Sequence, residues 1–304
     1  MSALEGSRVA GVLAHPTSLP AGTLGADARA FVDWLATAGF SVWQTLPVGI
    51  PAENASPYDS VSAFAGGTHL IDLDDLVAEG LLGAAERREA PSVADALQRA
   101  HARWQGRPGA DAEMAAFRAR QDPWLEDFAL YASIAVEHGT HWWQWPRALK
   151  ARETDALAAW RRERSESVER IRFAQLLFDR QWHALRRYAH ARGVRLFGDL
   201  PMFVSPRAAD VWAHRELFLL DAEGRARVVA GVPPDAFSET GQLWGNPMYD
   251  WQRMAAEGFP WWRARIARQL ELFDLLRIDH FRALAACWHI PADAEDAREG
   301  HWEP

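Results

Sequence analysis

Two short apolar runs flanking one helical stretch constrain the fold of this chain more than any other feature. Residues 9–14 (VAGVLA) carry no charge and read as a buried strand, stopped at His15-Pro16-Thr17. After a Gly/Pro loop, Phe31, Leu35 and Ala38 recur at helical spacing from Asp27, and Gly39 supplies a stop. A second strand, 41–46 (SVWQTL), follows at once and is closed by Pro47. Strand, helix and strand with short joints make a βαβ unit, which requires a parallel sheet with its helices outside.

The alternation then pauses. Residues 51–67 are rich in turn formers, and 76–192 read mainly as helix, with the stretch from Ala90 to Ala110 only weakly patterned. The last helix is the clearest: Ile171, Ala174, Phe178, Trp182, Leu185 and Tyr188 form one apolar stripe, ended by Gly193. Two further strands follow at 194–201 (VRLFGDLP) and 275–281 (LLRIDHF). Between them lie an expected β-hairpin, 218–220 with 226–229, and an expected helix from Trp261 to Phe273 with Ile266, Leu270 and Phe273 on one face. A doubly wound sheet would show a glycine-rich turn after its first strand, and 15–20 (HPTSLP) is no such turn. The expected fold is therefore α/β, a (β/α)8 TIM-type barrel with inserted subdomains, of which only about the first four strands are present. Residues 1–304 form a partial catalytic barrel, 47–192 a mainly helical insertion, and 203–260 a second insertion with the hairpin and a contact loop.

Composition narrows the partners. A formal net charge of −8 disfavours a nucleic-acid backbone as partner. No apolar stretch approaches the ~18 residues of a membrane span, and Met1–Gly6 lacks the charged start and apolar core of a signal peptide. The one cysteine, Cys287, allows no intrachain disulfide and reads as a small core residue, so the cytoplasm is the default location. The 16 tryptophans could pack a core, but indoles in Gly/Pro/Asn-rich loops also suit the apolar faces of sugar rings.

Two acids end strands, Asp199 and Asp279. In a barrel such ends share one mouth, and paired carboxylates are the chemistry of glycoside transfer. Each Asp could instead cap the following helix or pair with an arginine. Arg277, two residues before Asp279 on the same strand face, would hold that carboxylate ionised and oriented, as a nucleophile requires. His280 could be a satisfied core histidine or could bond a sugar hydroxyl. No metal is expected, because His15, Asp199, Asp279 and His280 show no ligand spacing. The loops 56–60 (SPYDS) and 241–247 (GQLWGNP) offer a phenol, an indole, hydroxyls and amides on turn-forming frames.

Taken together, the runs 11–20 (GVLAHPTSLP), 43–47 (WQTLP), 56–60, 62–66 (SAFAG), 198–201 (GDLP), 229–235 (VAGVPPD), 241–247 and 277–282 (RIDHFR) resemble those of the 4-α-glucanotransferases called amylomaltases or disproportionating enzymes, glycoside hydrolase family 77. The resemblance implies a (β/α)8 barrel that needs no cofactor. It also implies transfer of an α-1,4-glucan segment to the 4-hydroxyl of glucose or another glucan, by a retaining double displacement. It makes Asp279 the nucleophile, with Arg277 and His280 contacting nucleophile and sugar. It makes Asp199 a donor-site acid, with Tyr58, Trp244 and Asn246 as glucan contacts and Ser56 and Phe237 as further ones.

Three positions depart from the family pattern. Ala236 stands where an aromatic is frequent, Gly67 where Asn or Asp is common, and Ala283 where Gly is usual. The family's general acid/base is a Glu on the next strand, and Glu303 does not lie in that motif. The chain is thus expected to stop before its general acid/base, and in isolation to lack a proton transfer worth roughly 10²–10⁴-fold in rate. An α-glucan hydrolase and a non-catalytic glucan-binding remnant are the alternatives.

Overall fold

A computed structural model describes residues 8–304; the N-terminal stretch Met1–Gly6 lies outside them. A four-stranded parallel sheet runs β1 (Gly11–Leu13), β2 (Val42–Gln44), β3 (Arg195–Leu200) and β6 (Leu275–Ile278), in that spatial order. Helix α1 (Ala26–Thr37) joins β1 to β2, and α12 (Pro260–Leu272) leads into β6. This is the expected succession of βα units.

The strand β1 differs from the expected buried strand. It is three residues long and stands at the edge with one neighbour, leaving Val9 45% and Leu13 55% exposed. Its end is anchored by Trp43, whose Nε1 donates to the Ala14 carbonyl at 2.8 Å.

Between β2 and β3 lies the helical block: α2 (Leu73–Ala78), α3 (Ala84–Glu89), α4 (Val93–Gln105), α5 (Ala110–Gln121), α6 (Trp124–His138), α7 (Arg147–Lys150), α8 (Thr154–Glu163) and α9 (Ser165–His190). Helix α4 occupies the weakly patterned stretch, capped by Ser92, whose hydroxyl accepts from the Asp95 N–H at 3.2 Å. Helix α9 buries the expected stripe except for Ile171 and Tyr188, which are partly exposed, and it also buries polar residues. Gln175 Oε1 accepts from Gly66 N at 2.8 Å and its Nε2 donates to Gly66 O at 3.0 Å. Gln181 grips the backbone of Asp72 in the same way. Both ends of a polar backbone segment are thus satisfied where water is excluded. Val168 of α9 belongs to one hydrophobic core, and Phe173 to Ala189 belong to another.

The expected hairpin 218–229 is reduced to one bridge, Leu220 with Ala226. Val228–Val232 instead forms β4, one of two inner strands of a second, antiparallel sheet of order β5-β4-β7-β8, with β5 (Gln242–Pro247), β7 (Cys287–Pro291) and β8 (His301–Glu303). The apolar run of β4 has a neighbour on each side there, which a hairpin with 218–220 would not provide. The two short helices α10 (Ala209–Ala213) and α11 (Trp251–Ala256) flank this region. Helix α12 also departs from expectation. Leu270 is 50% exposed, whereas Arg265 and Arg268 are buried beside Trp261, Trp262 and Leu272.

Eight tryptophans are buried and so belong mainly to the packing, while Trp244 is half-exposed. Cys287 is buried, its thiol donating to Ala283 O and pushed up to about 11 by burial. No helix among the described residues is long and apolar enough to cross a membrane.

Candidate active site

The register of the parallel sheet builds the site. Asp199 on β3 pairs with Arg277 on β6, so the two side chains leave the same face of the sheet. Arg277 Nη1 donates to Asp199 Oδ2 at 2.6 Å, and Nη2 donates to Asp279 Oδ1. One guanidinium therefore bridges two carboxylates from different strands, a geometry that its rigid fork favours. Asp279 comes just after β6 ends at Ile278, and its N–H still donates to Leu200 O at 2.9 Å. At His280 the backbone turns into the left-handed region, φ 52°, and leaves the sheet.

Asp199 is 2% exposed, and burial raises its pKa above the ordinary carboxylate value even though Tyr58 and Arg277 pull it down. The Tyr58 hydroxyl donates to Asp199 Oδ2 at 2.7 Å; burial, then that bond, pushes the phenol up to about 12. Oδ1 of Asp199 is buried with no hydrogen-bond partner among the described residues. Burial also lowers His280 below the usual imidazole value, which favours the neutral ring. That ring meets Trp244 edge-to-face, with centroids 4.9 Å apart and planes at 83°.

Ser56, Tyr58, Trp244, Asn246, Asp279 and His280 line one open cleft of about 690 Å³. Asp199 lines a smaller adjoining cavity of about 40 Å³, which shares Tyr58, Pro201 and Phe203 with the cleft. Ser56 shapes its loop, accepting from Tyr58 N at 3.3 Å. Asn246 Nδ2 is engaged with Val204 O at 2.8 Å, leaving its oxygen for other partners. Phe237 is 98% exposed at a loop tip where Asp235 accepts from the N–H groups of Phe237 and Ser238, and it does not line the cleft.

Several lining residues carry no sequence signal of their own. Phe203 lies within 6.2 Å of Trp244 and 6.1 Å of His280. Arg207 pairs with Glu53 and Asp59 on the rim, and Asn54 Nδ2 donates to Asp59 at 2.9 Å. Only the inclusion of Asp59 in the SPYDS loop pointed towards that rim. Among the described residues no group of three or more His, Cys, Asp or Glu is placed to hold a metal ion.

The sequence profile of the family described as 4-alpha-glucanotransferase matches residues 12–304. The chain belongs to this 4-alpha-glucanotransferase family. It is 45% identical to the 4-alpha-glucanotransferase of Thermus thermophilus over 98% of its own length and 63% of the relative's. It is 42% identical to that of Aquifex aeolicus, over 97% of its length and 64% of the relative's. It superposes on the amylomaltase of Streptococcus agalactiae, solved in complex with acarbose, with a TM-score of 0.91 at 36% identity, covering 98% of this chain and 64% of that one. The amylomaltase of Corynebacterium glutamicum shares the fold, with a TM-score of 0.72 at 19% identity over 96% of this chain and 43% of that one. The chain thus spans less than two thirds of the length of these proteins, and its parallel sheet supplies four strands of the family's (β/α)8 barrel.

The three departures from the family pattern have different surroundings. A Cβ on Gly67 would stand 2.8 Å from Gly49 O, so the backbone here is packed for glycine. Ala236 is exposed beside Phe237, and Ala283 is buried against Cys287.

Proposed function

We propose that this chain forms the nucleophile side of a retaining 4-α-glucanotransferase site, acting on α-1,4-glucans such as maltooligosaccharides, starch or glycogen chains. The observation that carries the reading is the Arg277 bridge between Asp199 and Asp279 beneath an aromatic-walled cleft. Two of the cleft-lining residues are carboxylates, Asp59 and Asp279. Asp59 stands on the rim with Asn54 and Arg207, whereas Asp279 follows β6 beside Arg277 and Asp199, so Asp279 is the one we assign to attack.

In the first step an Asp279 oxygen bonds to the anomeric carbon as the bond to the leaving sugar's O4 breaks. In the second, the 4-hydroxyl of glucose or another glucan displaces Asp279 and restores the α configuration. Arg277 fixes the Asp279 carboxylate and offsets its charge next to Asp199. Asp199 Oδ1 has the capacity to accept from a sugar hydroxyl, and Trp244 with Tyr58 supplies flat apolar faces for hexose rings. His280, neutral and held against Trp244, can donate to or accept from a sugar hydroxyl. Ser56 and Asn246 border the same cleft, and Phe237 would reach a glucan by the 235–241 loop folding inward. The proton that the departing O4 takes up in the first step, and that the attacking 4-hydroxyl gives up in the second, is assigned to no residue of this chain, and no cofactor enters the scheme. Residues 47–192 and 203–260 act in this reading as insertions that shape the cleft on a barrel frame. A reducing cytoplasmic setting suits the single buried thiol.

Maltotriosyl α-fluoride tests the nucleophile apart from proton donation, because fluoride departs without protonation. Asp279 should acquire a maltotriosyl ester, located by peptide mass spectrometry, with one fluoride released. Added glucose should then yield a lengthened oligosaccharide rather than free maltotriose, which separates transfer from hydrolysis. An adduct that persists in Asp279→Asn, or a chain that ignores maltooligosaccharides, would refute the reading.

A further inference from the structure

Arg172, Arg265 and Arg268 are buried, at 2%, 2% and 3% exposure. Arg172 bonds to Glu126 and Glu169, and Arg268 to Asp179 and Glu271. Arg265 bonds to no carboxylate among the described residues. Its Nη2 donates to Pro201 O at 2.6 Å, and its Nη1 to Met202 O at 3.1 Å and to the Tyr249 hydroxyl at 3.2 Å. Burying a guanidinium with no carboxylate bonded to it is expensive, even with the buried Asp210 carboxyl near enough to feel its charge, and an apolar side chain on α12 would fill the space at lower cost. What a methionine or leucine cannot do is hold two successive carbonyls with one rigid fork.

Those carbonyls belong to the segment that follows β3. Asp199 precedes it, and Pro201, Met202 and Phe203 line the cleft. No strand takes up the carbonyls of 201, 202 and 204; side chains do. Tyr249 donates its hydroxyl to Met202 O at 2.9 Å, and Asn246 donates to Val204 O at 2.8 Å. The guanidinium carbon of Arg265 lies 5.3 and 5.0 Å from the ring centres of Trp261 and Trp262, which are themselves 5.6 Å apart and so restrict it along one flank.

We propose that Arg265 is a positioning residue for the glucan site. Its guanidinium fixes the 201–202 carbonyls, which set Asp199 under Arg277 and Phe203 against His280 and Trp244. The proposal rests on the glucan reading of the cleft, and its test separates the two.

Arg265→Met, Arg265→Lys and Tyr249→Phe would be compared with the unaltered chain by amide hydrogen exchange and by maltoheptaose titration of the tryptophan fluorescence. Arg265→Met should exchange the amides of 199–205 about ten-fold faster, with α9 unchanged. It should bind maltoheptaose about ten-fold more weakly, as expected for a displaced binding surface. Lysine, able to reach one carbonyl, should recover part of both effects. Tyr249→Phe, which removes one hydroxyl and no charge, should show the same pair of changes at smaller amplitude even if Arg265→Met does not fold.

Unchanged exchange at 199–205 in the folded variants, or unchanged affinity, would overturn the positioning role. An unaltered chain that ignores maltoheptaose refutes the glucan reading instead. The exchange result then decides by itself whether Arg265 holds the segment.

Discussion

Arg277 Nη1 stands 2.6 Å from Asp199 Oδ2, across a parallel strand pair that aligns the two residues in register. The same guanidinium bonds Asp279, so it organises both carboxylates at once. Arg277→Lys keeps a charge but cannot bridge two acids in a plane. Fluoride release from maltotriosyl α-fluoride should fall by roughly 10²-fold, while the melting temperature changes little because Arg277 is 43% exposed. A fluoride-electrode assay reads the first and calorimetry the second. A rate matching the unaltered chain would remove the bridge from the mechanism.

Trp244 offers the cleft its exposed indole, and His280 braces it from the side. Trp244→Ala should weaken maltoheptaose binding about ten-fold, roughly the contribution of one aromatic stacking contact. Titration calorimetry measures it. Equal affinity in the variant would mean that the glucan lies elsewhere.

Asp199 gives a pH-dependent stability of defined sign. Its pKa is raised in the fold by burial, so the unfolded chain releases that proton first as pH rises. Stability is therefore lost as pH climbs from the ordinary carboxylate value of about 4 through the higher folded value, and the deficit stays constant above it. Asp199→Asn has no such deficit. It should melt above the unaltered chain at pH 7, by roughly 2 °C, and the gap should close toward pH 3. A variant that melts lower at pH 7 would contradict this. Removing the charge should also weaken glucan binding, a gain in stability at the expense of function.

Asp274 behaves in the opposite sense. Burial alone would raise its pKa, but hydrogen bonds from His190, Arg186 and the Leu196 N–H outweigh burial and lower it. Its contribution is present above the unfolded carboxylate value and is lost as pH falls through the depressed folded one. Asp274→Asn should lower the unfolding free energy by about 2 kcal/mol in urea at pH 7, and by less near pH 3. Equal losses at both pH values would show that the charge is not what matters.

The frame was legible in the sequence because the first two parallel strands leave uncharged runs around a helix, and the candidate strand ends because Asp199 closes the third run and Arg277 and Asp279 stand two apart in the fourth. The second sheet was not legible. Its strand β7 (CWHIP) has too little alternation to announce itself, and β4 looked like the return arm of a hairpin because a turn, Asp221 to Gly224, preceded it. The buried face of α12 was misjudged for a related reason. Hydropathy places Leu270 inside and Arg265 outside, whereas the carbonyls of Pro201 and Met202 reverse that order. Tryptophan content left two readings open, and position separates them: eight indoles are buried in the interior, while Trp244 in its loop faces the cleft. The rim formed by Arg207 and Asp59 depends on residues 148 apart in sequence, a distance no local pattern bridges.

Helix α9 has its first turns in one hydrophobic core and its remainder in the other, and its Gln175 holds Gly66 at the end of the loop that carries Tyr58. The helical block and the sheet therefore share a single spine. Heating should release both in one cooperative event, with coincident loss of helical circular dichroism and of tryptophan burial. A saccharide seated against Tyr58 would shift that event as a whole, so that a contact at the rim of the cleft is registered by residues on the far side of the molecule.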